Sequence, residues 1–203
     1  MRSESVRPGQ PRWFHLNAVE RRIGKRTAQA LFAFANGLLS LGLLSTLAWL
    51  THHPLLFPSL GPTAFLLFYS PLLAAASPRN TLLGHLVGVA CGYGSLALFG
   101  LTEAPPALVT GVDAPRIGAA SLSLAATSGL MVLLAVEHPP AGATTLIISL
   151  GLIRRPDQLV TLMIAVTLLC LQGWVINRLA GLPYPTWRHR PAAAGGTSSA
   201  PDP

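Results

Sequence analysis

The stretch Glu137 to Leu150, EHPPAGATTLIISL, sets a charged residue, a histidine and two prolines between two long apolar runs. A Pro-Pro step cannot continue a helix from the turn before it, because each proline lacks an N–H and its ring collides with the preceding turn. A new helix is therefore expected to start near Ala141. From Ala141 to the arginines at 154 and 155 there are only 13 apolar or small residues, AGATTLIISLGLI. At ~1.5 Å per residue that is ~20 Å, short of the ~30 Å hydrocarbon layer of a bilayer.

The rest of the chain says why a bilayer is the relevant yardstick. Of 203 residues, 51% are hydrophobic and only 10% charged, and the mean hydropathy is +0.51. Soluble domains carry roughly 25% charged residues. Uncharged runs of ~17–25 residues, the length that spans a membrane as a helix, recur along the sequence. The expected fold is all-α, a polytopic transmembrane helix bundle of six segments. They lie at about 27–50, from near Gly61, at about 80–100, 117–136 and 141–153, and at about 158–180. Residues 1–26 form a basic arm, 27–182 the transmembrane domain, and 183–203 a polar tail expected to be disordered. Within the arm, residues 17–26 suit a short amphipathic surface helix with Leu16, Val19 and Ile23 on one side, anchored by Trp13 and Phe14. The first apolar run follows a long polar arm and exceeds a signal-peptide core, so no cleaved leader is expected.

The second segment carries its own break. PSLGPTAFLL from Pro58 and PPAGATTLII from Pro139 align at a constant offset of 81. Pro58 meets Pro139, Gly61 meets Gly142, Thr63 meets Thr144, and Phe65-Leu66-Leu67 meets Leu146-Ile147-Ile148. Each stretch has one long segment before it and one after it. The chain thus divides into halves of three segments, about 27–100 and 117–180, with a short or broken middle helix in each. Three crossings is an odd number, so the second half would be inverted relative to the first, a recurrent transporter architecture.

Net charge is +7, which in a soluble chain would suggest nucleic acid. Here seven of the 14 Lys/Arg precede Thr27, as expected of a cytoplasmic N-terminus. Nucleic-acid binding is not expected; the bilayer is the first partner. Arg79, Arg178, Arg188 and Arg190 fall on the cytoplasmic side in a six-crossing arrangement. Arg154 and Arg155 fall on the other side, against the rule; if segments two and five were both re-entrant, with four true crossings, these arginines would return to the inner side.

A helix start leaves its first N–H groups without partners and carries partial positive charge, so it can bind a small anion. The N–H groups at Gly61 and at Gly142, Ala143 and Thr144 are the candidate donors. Ser59, Thr63, Thr144 and Thr145 could add hydroxyls, and His138 a ring N–H or a proton. Pro58, Pro139 and Pro140 would fix the breaks. The competing account puts Glu137 and His138 in the headgroup region at an interfacial turn. His85, near the start of the third segment, and Asn36, in the first, are candidate cavity residues; interface or packing roles compete for both. Gly84, Gly88 and Gly92 form a small-residue stripe that permits a close helix contact within the chain or in a homo-oligomer. Ser121, Thr127 and Ser128 suit close helix–helix contact, and Gln172 and Asn177 read as packing or interface groups. Cys91 and Cys170 read as packing residues. No metal site is expected, since the histidines are scattered, and no cofactor. With neither a paired-carboxylate site nor a nucleophile or phosphate-loop motif, the chain does not read as an enzyme.

EHPPAGATTLI, FPSLGPTAFLLF and SPRNTLLGHLVGVACG, present together, resemble the HPP family of integral membrane proteins, named for the motif that here is His138-Pro139-Pro140. The resemblance covers about Ala28 to Leu182. It implies about four membrane helices and a transport role, with nitrite the substrate linked to plastid and cyanobacterial relatives. Some members carry a C-terminal CBS pair; only a short tail follows Arg190 here, so that regulation is not expected. A bacterial inner membrane is the expected location. The expected function is transport or channelling of a small anion, the alternative a membrane subunit without flux of its own.

Overall fold

The computed structural model describes residues 16–189; Trp13, Phe14 and the tail from Arg190 lie outside them. The described residues form eight α-helices: α1 (Leu16–Ile23), α2 (Lys25–Thr51), α3 (Leu60–Tyr69), α4 (Pro78–Leu98), α5 (Ala107–Thr110), α6 (Ala114–Leu133), α7 (Ala141–Ser149) and α8 (Pro156–Leu179). A 3-10 turn, Ala74–Ala76, precedes α4. Four helices, α2, α4, α6 and α8, are long and apolar enough to cross a membrane. α3 and α7, of 10 and 9 residues, are not.

Local chemistry sets the boundaries. α4, α6 and α8 each have proline in the first turn, where no N–H is needed. Ser77 Oγ accepts from Asn80 N at the start of α4, and Asp113 Oδ1 accepts from Arg116 N at the start of α6. α2 stops at His52 in the left-handed region (φ 55°), and α6 is capped by Leu134 with the left-handed Ala135 (φ 49°) following it. Such a conformation strains a side-chain-bearing residue. Around Ala135 it is held by Arg79, whose guanidinium donates to the Leu134 and Ala135 carbonyls at 3.2 and 2.8 Å.

Contacts at the helix ends give the path of the chain. Leu16 N donates to Ala180 O, and Arg79 N donates to Trp187 O. The start of α1, the start of α4 and the end of α8 therefore share one end of the bundle, the end near both termini. Asn177 Nδ2 donates to Leu67 O, which puts the end of α3 there too. Arg79's bonds place the end of α6 at the same end. At the opposite end, Arg116 of α6 donates to Ser149 O at the end of α7 and to Pro105 O, and Ala107 N donates to Leu150 O. So α2 and α4 run away from the termini, and α6 and α8 run back. Residues 52–59 enter the bundle extended and α3 completes the return. Residues 134–140 enter from the other side and α7 carries the chain across. Segments two and five each run between the two ends of the bundle as part non-helical chain and part short helix.

α4 is the centre, packed against α6, α7 and α8. Its buried face is small and polar: Thr81, Gly84, His85, Gly88, Gly92 and Ser95. A Cβ at Gly84 would lie 2.5 Å from His138 Cβ, at Gly88 2.8 Å from Ala141 O, and at Gly92 2.9 Å from Ile148 Cβ. The stripe is thus occupied within the chain by the second break and α7, lying parallel to α4; it is not a free face for a second copy. α8 receives α3 in the matching way. A Cβ at Gly173 would lie 3.0 Å from Leu67 Cδ1, and the offset of 81 equates Gly173 with Gly92 and Leu67 with Ile148.

The outer faces are apolar and exposed, among them Phe34, Leu38, Trp49, Leu98, Val132 and Leu133. In water such a surface would aggregate; in lipid it is the solvent-facing side. α1 forms where the surface helix was expected, with Leu16 buried. The tail differs from expectation up to His189: Tyr184 is buried and its hydroxyl donates to Ala76 O. Burial pushes the ionisation of that hydroxyl up, so it stays a neutral donor.

Candidate functional site

The two breaks meet on one imidazole. His85 stands seven residues into α4, ~10 Å from its start at 1.5 Å per residue, and is fully buried. Its Nε2 lies 2.8 Å from Thr63 Oγ1 on α3, and its Nδ1 lies 2.7 Å from Thr144 Oγ1 on α7. Thr63 and Thr144 are the threonines that the offset of 81 pairs, and both are fully buried. His138, in the second break, is also fully buried; its Nε2 lies 3.2 Å from His85 Nε2. Its Nδ1 lies 2.8 Å from Ala75 O.

The donors follow from valence. A carbonyl only accepts, so His138 Nδ1 carries a proton and donates to Ala75 O. In the neutral ring His138 Nε2 is then an acceptor. Thr63 has one hydroxyl proton, and Ser59 O lies 2.9 Å from its oxygen. A single arrangement satisfies all these groups without net charge. Thr144 donates to His85 Nδ1, His85 Nε2–H is shared between Thr63 Oγ1 and His138 Nε2, and Thr63 donates to Ser59 O. Four buried hydroxyls have no partner among the described residues, those of Ser40, Ser59, Thr81 and Thr127, and two of them lie one turn from residues of this cluster. These two are Ser59 Oγ, one turn before Thr63, and Thr81 Oγ1, one turn before His85. An unpartnered buried hydroxyl costs about 1–3 kcal/mol, which a small acceptor would recover.

The breaks also face each other across a groove of about 560 Å3, lined by Gly61, Pro62, Phe65 and Leu66 from one and by Pro139, Pro140 and Ala143 from the other. The interfacial alternative for His138 does not hold: Glu137 is exposed, but His138 is enclosed.

Several expected site residues are placed otherwise. The amides at the two helix starts are not free donors. Gly61 N bonds Pro58 O at 3.3 Å, Gly142 N bonds Pro139 O at 3.0 Å, and Ala143 N bonds Pro140 O at 3.1 Å. Proline loses its N–H but keeps its carbonyl, and here that carbonyl occupies the amide three residues on. Thr145 turns away from the histidines and donates to Ser123 O on α6 at 3.4 Å. Asn36 donates to Phe32 O one turn back in its own helix, at 2.7 Å. Ser123, not singled out in the sequence, donates to Ser149 Oγ and helps Thr145 hold α6 to α7. The Ala75 carbonyl, which fixes the tautomer of His138, has no side-chain signature at all. Gly84 had one, its place in the small-residue stripe.

Among the described residues no group of three or more His, Cys, Asp or Glu is arranged to hold a metal ion. The sequence matches the family model described as HPP, transmembrane region, over residues 23–185, and the chain belongs to that family. It is an integral membrane protein. No curated protein and no solved structure matches it.

Proposed function

We propose that this HPP-family membrane protein transports a small anion, held where the two broken segments meet. One observation carries this: breaks 81 residues apart converge on a single buried imidazole, with two unsatisfied hydroxyls one turn away. Irregular backbone is tolerated at membrane depth where it is enclosed by protein or lines a cavity, and buried ionisable groups there are functional by default. His85, His138, Thr63 and Thr144 supply the donors, and Ser59 and Thr81 the spare hydroxyls. Nitrite is the candidate substrate that the family resemblance offers, and its size and acceptor oxygens suit such a set. The matched contacts of α4 with α7 and of α8 with α3 support two inverted halves. A subunit without flux would need no buried polar cluster at the breaks.

The orientation we favour has the N-terminus in the cytoplasm of a bacterial cell. Of the ten described Lys and Arg, seven lie at the end of the bundle near the termini. The three at the other end are engaged locally. Arg116 and Arg154 donate to backbone carbonyls, and Arg155 pairs with Asp157 at 3.0 Å. They act as caps rather than as free topological charges.

The test is nitrite uptake into vesicles holding the purified protein, with chloride, nitrate and formate as competitors. Flux above that of empty vesicles is expected, with His138→Ala reducing it about a hundredfold, ~2.7 kcal/mol of barrier. Undiminished flux in a folded His138→Ala protein would remove the imidazole pair from the pathway. No flux for any anion would favour the subunit function.

A further inference from the structure

We infer that the His85–His138 pair carries one proton with each anion, making transport an electroneutral proton–anion symport. This rests on the proposed transport function and adds its coupling ion. Both Nε2 atoms face each other at 3.2 Å, so only one hydrogen fits between them. The neutral pair already has that hydrogen, on His85. His138 Nδ1 is committed to Ala75 O. One site for a further proton remains, His85 Nδ1, now accepting from Thr144 at 2.7 Å. Adding a proton leaves the shared hydrogen between the two Nε2 atoms and makes Nδ1 a donor. The Thr144 hydroxyl must then accept and turn its own hydrogen away, back toward the carbonyl one turn earlier in α7, as threonines in helices do. A second added proton would set two N–H groups head to head. The capacity of the pair is one.

The charge balance links that proton to an anion. No carboxylate faces the pair from any packed element. α3 and α7 contain no acidic residue, nor does the Ala74–Ala76 turn. On α4 the neighbouring groups are Arg79, bonded to the backbone after α6, and Cys91; on α8 and the tail they are Cys170 and Tyr184. Glu137 is exposed. Glu20 lies on the short α1 before the first long helix, and Glu103, Asp113 and Asp157 lie in the loop between the halves or at helix starts. An imidazolium at this depth would be a buried charge without a partner, and so would an anion beside a neutral pair. Each makes the other's presence favourable. The Thr144–His85 bond reverses direction on loading, so the event also reaches α7, an element that would have to move for the site to open.

Vesicles loaded with a pH-sensitive dye, with potassium and valinomycin setting the membrane potential, separate the outcomes. Coupled transport predicts that a nitrite gradient acidifies the lumen faster than in empty vesicles, which correct for passive nitrous acid. The initial rate should rise about tenfold per unit of external acidification and should not respond to an imposed potential. His85→Gln keeps an amide for hydrogen bonding but cannot take the proton; it should lose at least tenfold of the acidification rate while melting near the native temperature. Nitrite flux that follows the potential without acidification would overturn the coupling and leave transport intact. So would acidification unchanged in His85→Gln. Absence of any flux from folded protein would overturn both.

Discussion

The junction of α4 with the second break and that of α8 with the first are built on one plan and filled differently. At the first, α4 offers Gly84, His85 and Gly88 to His138 and Thr144. At the second, the offset of 81 puts Ala165, Val166 and Leu169 on α8, and Phe57 in the place of His138. All four of these belong to the main apolar core, with Leu60 and Leu67. The backbone arrangement does not itself demand histidine chemistry, because the α8 junction holds the equivalent positions with apolar residues and keeps one side-chain bond, from Asn177 to Leu67 O. The histidines and the glycines that admit them are therefore additions to a packing scheme that works in apolar form. Substitutions at the α8 junction should act on stability and those at the α4 junction on flux.

The largest expected effect lies where the two junctions differ most in volume. Gly88→Val places a branched side chain where even a Cβ would lie 2.8 Å from the Ala141 carbonyl. Backbone cannot yield as a side-chain tip can, so α7 must move away. Expected is a loss of folded protein on size-exclusion chromatography, with more than about 3 kcal/mol of overpacking. At the equivalent position on α8, Leu169→Ala leaves a cavity worth about 2–3 kcal/mol. It should lower the melting temperature while keeping flux per folded molecule within about twofold. A flux loss in Leu169→Ala as deep as that of His138→Ala would erase the distinction between the junctions.

Next comes the exchange of one junction's residues for the other's. His85→Val with His138→Phe converts the polar junction to the apolar one. Replacing both imidazoles of the pair by apolar groups removes their mutual bond at little cost, Thr63 and Thr144 can turn to carbonyls one turn back, and the main loss is the donor to Ala75 O, about 1–3 kcal/mol. The double variant should melt within a few degrees of the native protein and carry no measurable anion flux. A double variant that still transports would show the imidazoles to be structural. The two threonines sharpen this further. Thr63 already donates to Ser59 O and only accepts from His85, whereas Thr144 is the donor that sets the His85 tautomer. Thr144→Val should reduce uptake about tenfold, ~1.4 kcal/mol, and Thr63→Val about twofold to threefold.

How far the sequence revealed this arrangement depended on what kind of signal each residue leaves. Segment lengths and charge-free runs marked the four long membrane helices, and the prolines marked both breaks, because helix geometry and bilayer thickness act on composition directly. The pairing of Thr63 with Thr144 was visible in the offset of 81. His138 was visible because a histidine beside Pro-Pro is conspicuous. His85 was visible only as a candidate cavity residue, since a histidine in a helix gives no sign of which neighbour it faces; the glycines at 84 and 88, on one face with it, hinted that something was to fit there. The helix-start amides misled for a definite reason. Proline was read as a break that strips a partner, when its carbonyl also supplies one to Gly61, Gly142 and Ala143. Thr145 stood next to Thr144, but one residue on a helix is a turn of about 100°, enough to send it to Ser123 on α6.

The smallest effect is expected farthest from the contrast, in the tail, where Tyr184 joins the main core and reaches the turn before α4. Tyr184 donates to Ala76 O, one residue from the Ala75 carbonyl that fixes His138. Tyr184→Phe removes that donor, leaves the Ala76 carbonyl buried and keeps the ring packing. About 1 kcal/mol of stability should be lost, the net worth of an ordinary hydrogen bond. If the tail serves only as a fastening, flux per folded molecule and its dependence on pH should both be unchanged. If it instead holds the Ala74–Ala76 turn in register for His138, His138 loses its fixed tautomer. Nitrogen-15 spectra of the labelled histidines would then show a mixture at His138 where the native protein shows the Nδ1–H form alone. A shifted spectrum with little loss in melting temperature would extend the transport site to the tail. An unchanged spectrum would confine it to the four side chains on α3, α4, α7 and the second break.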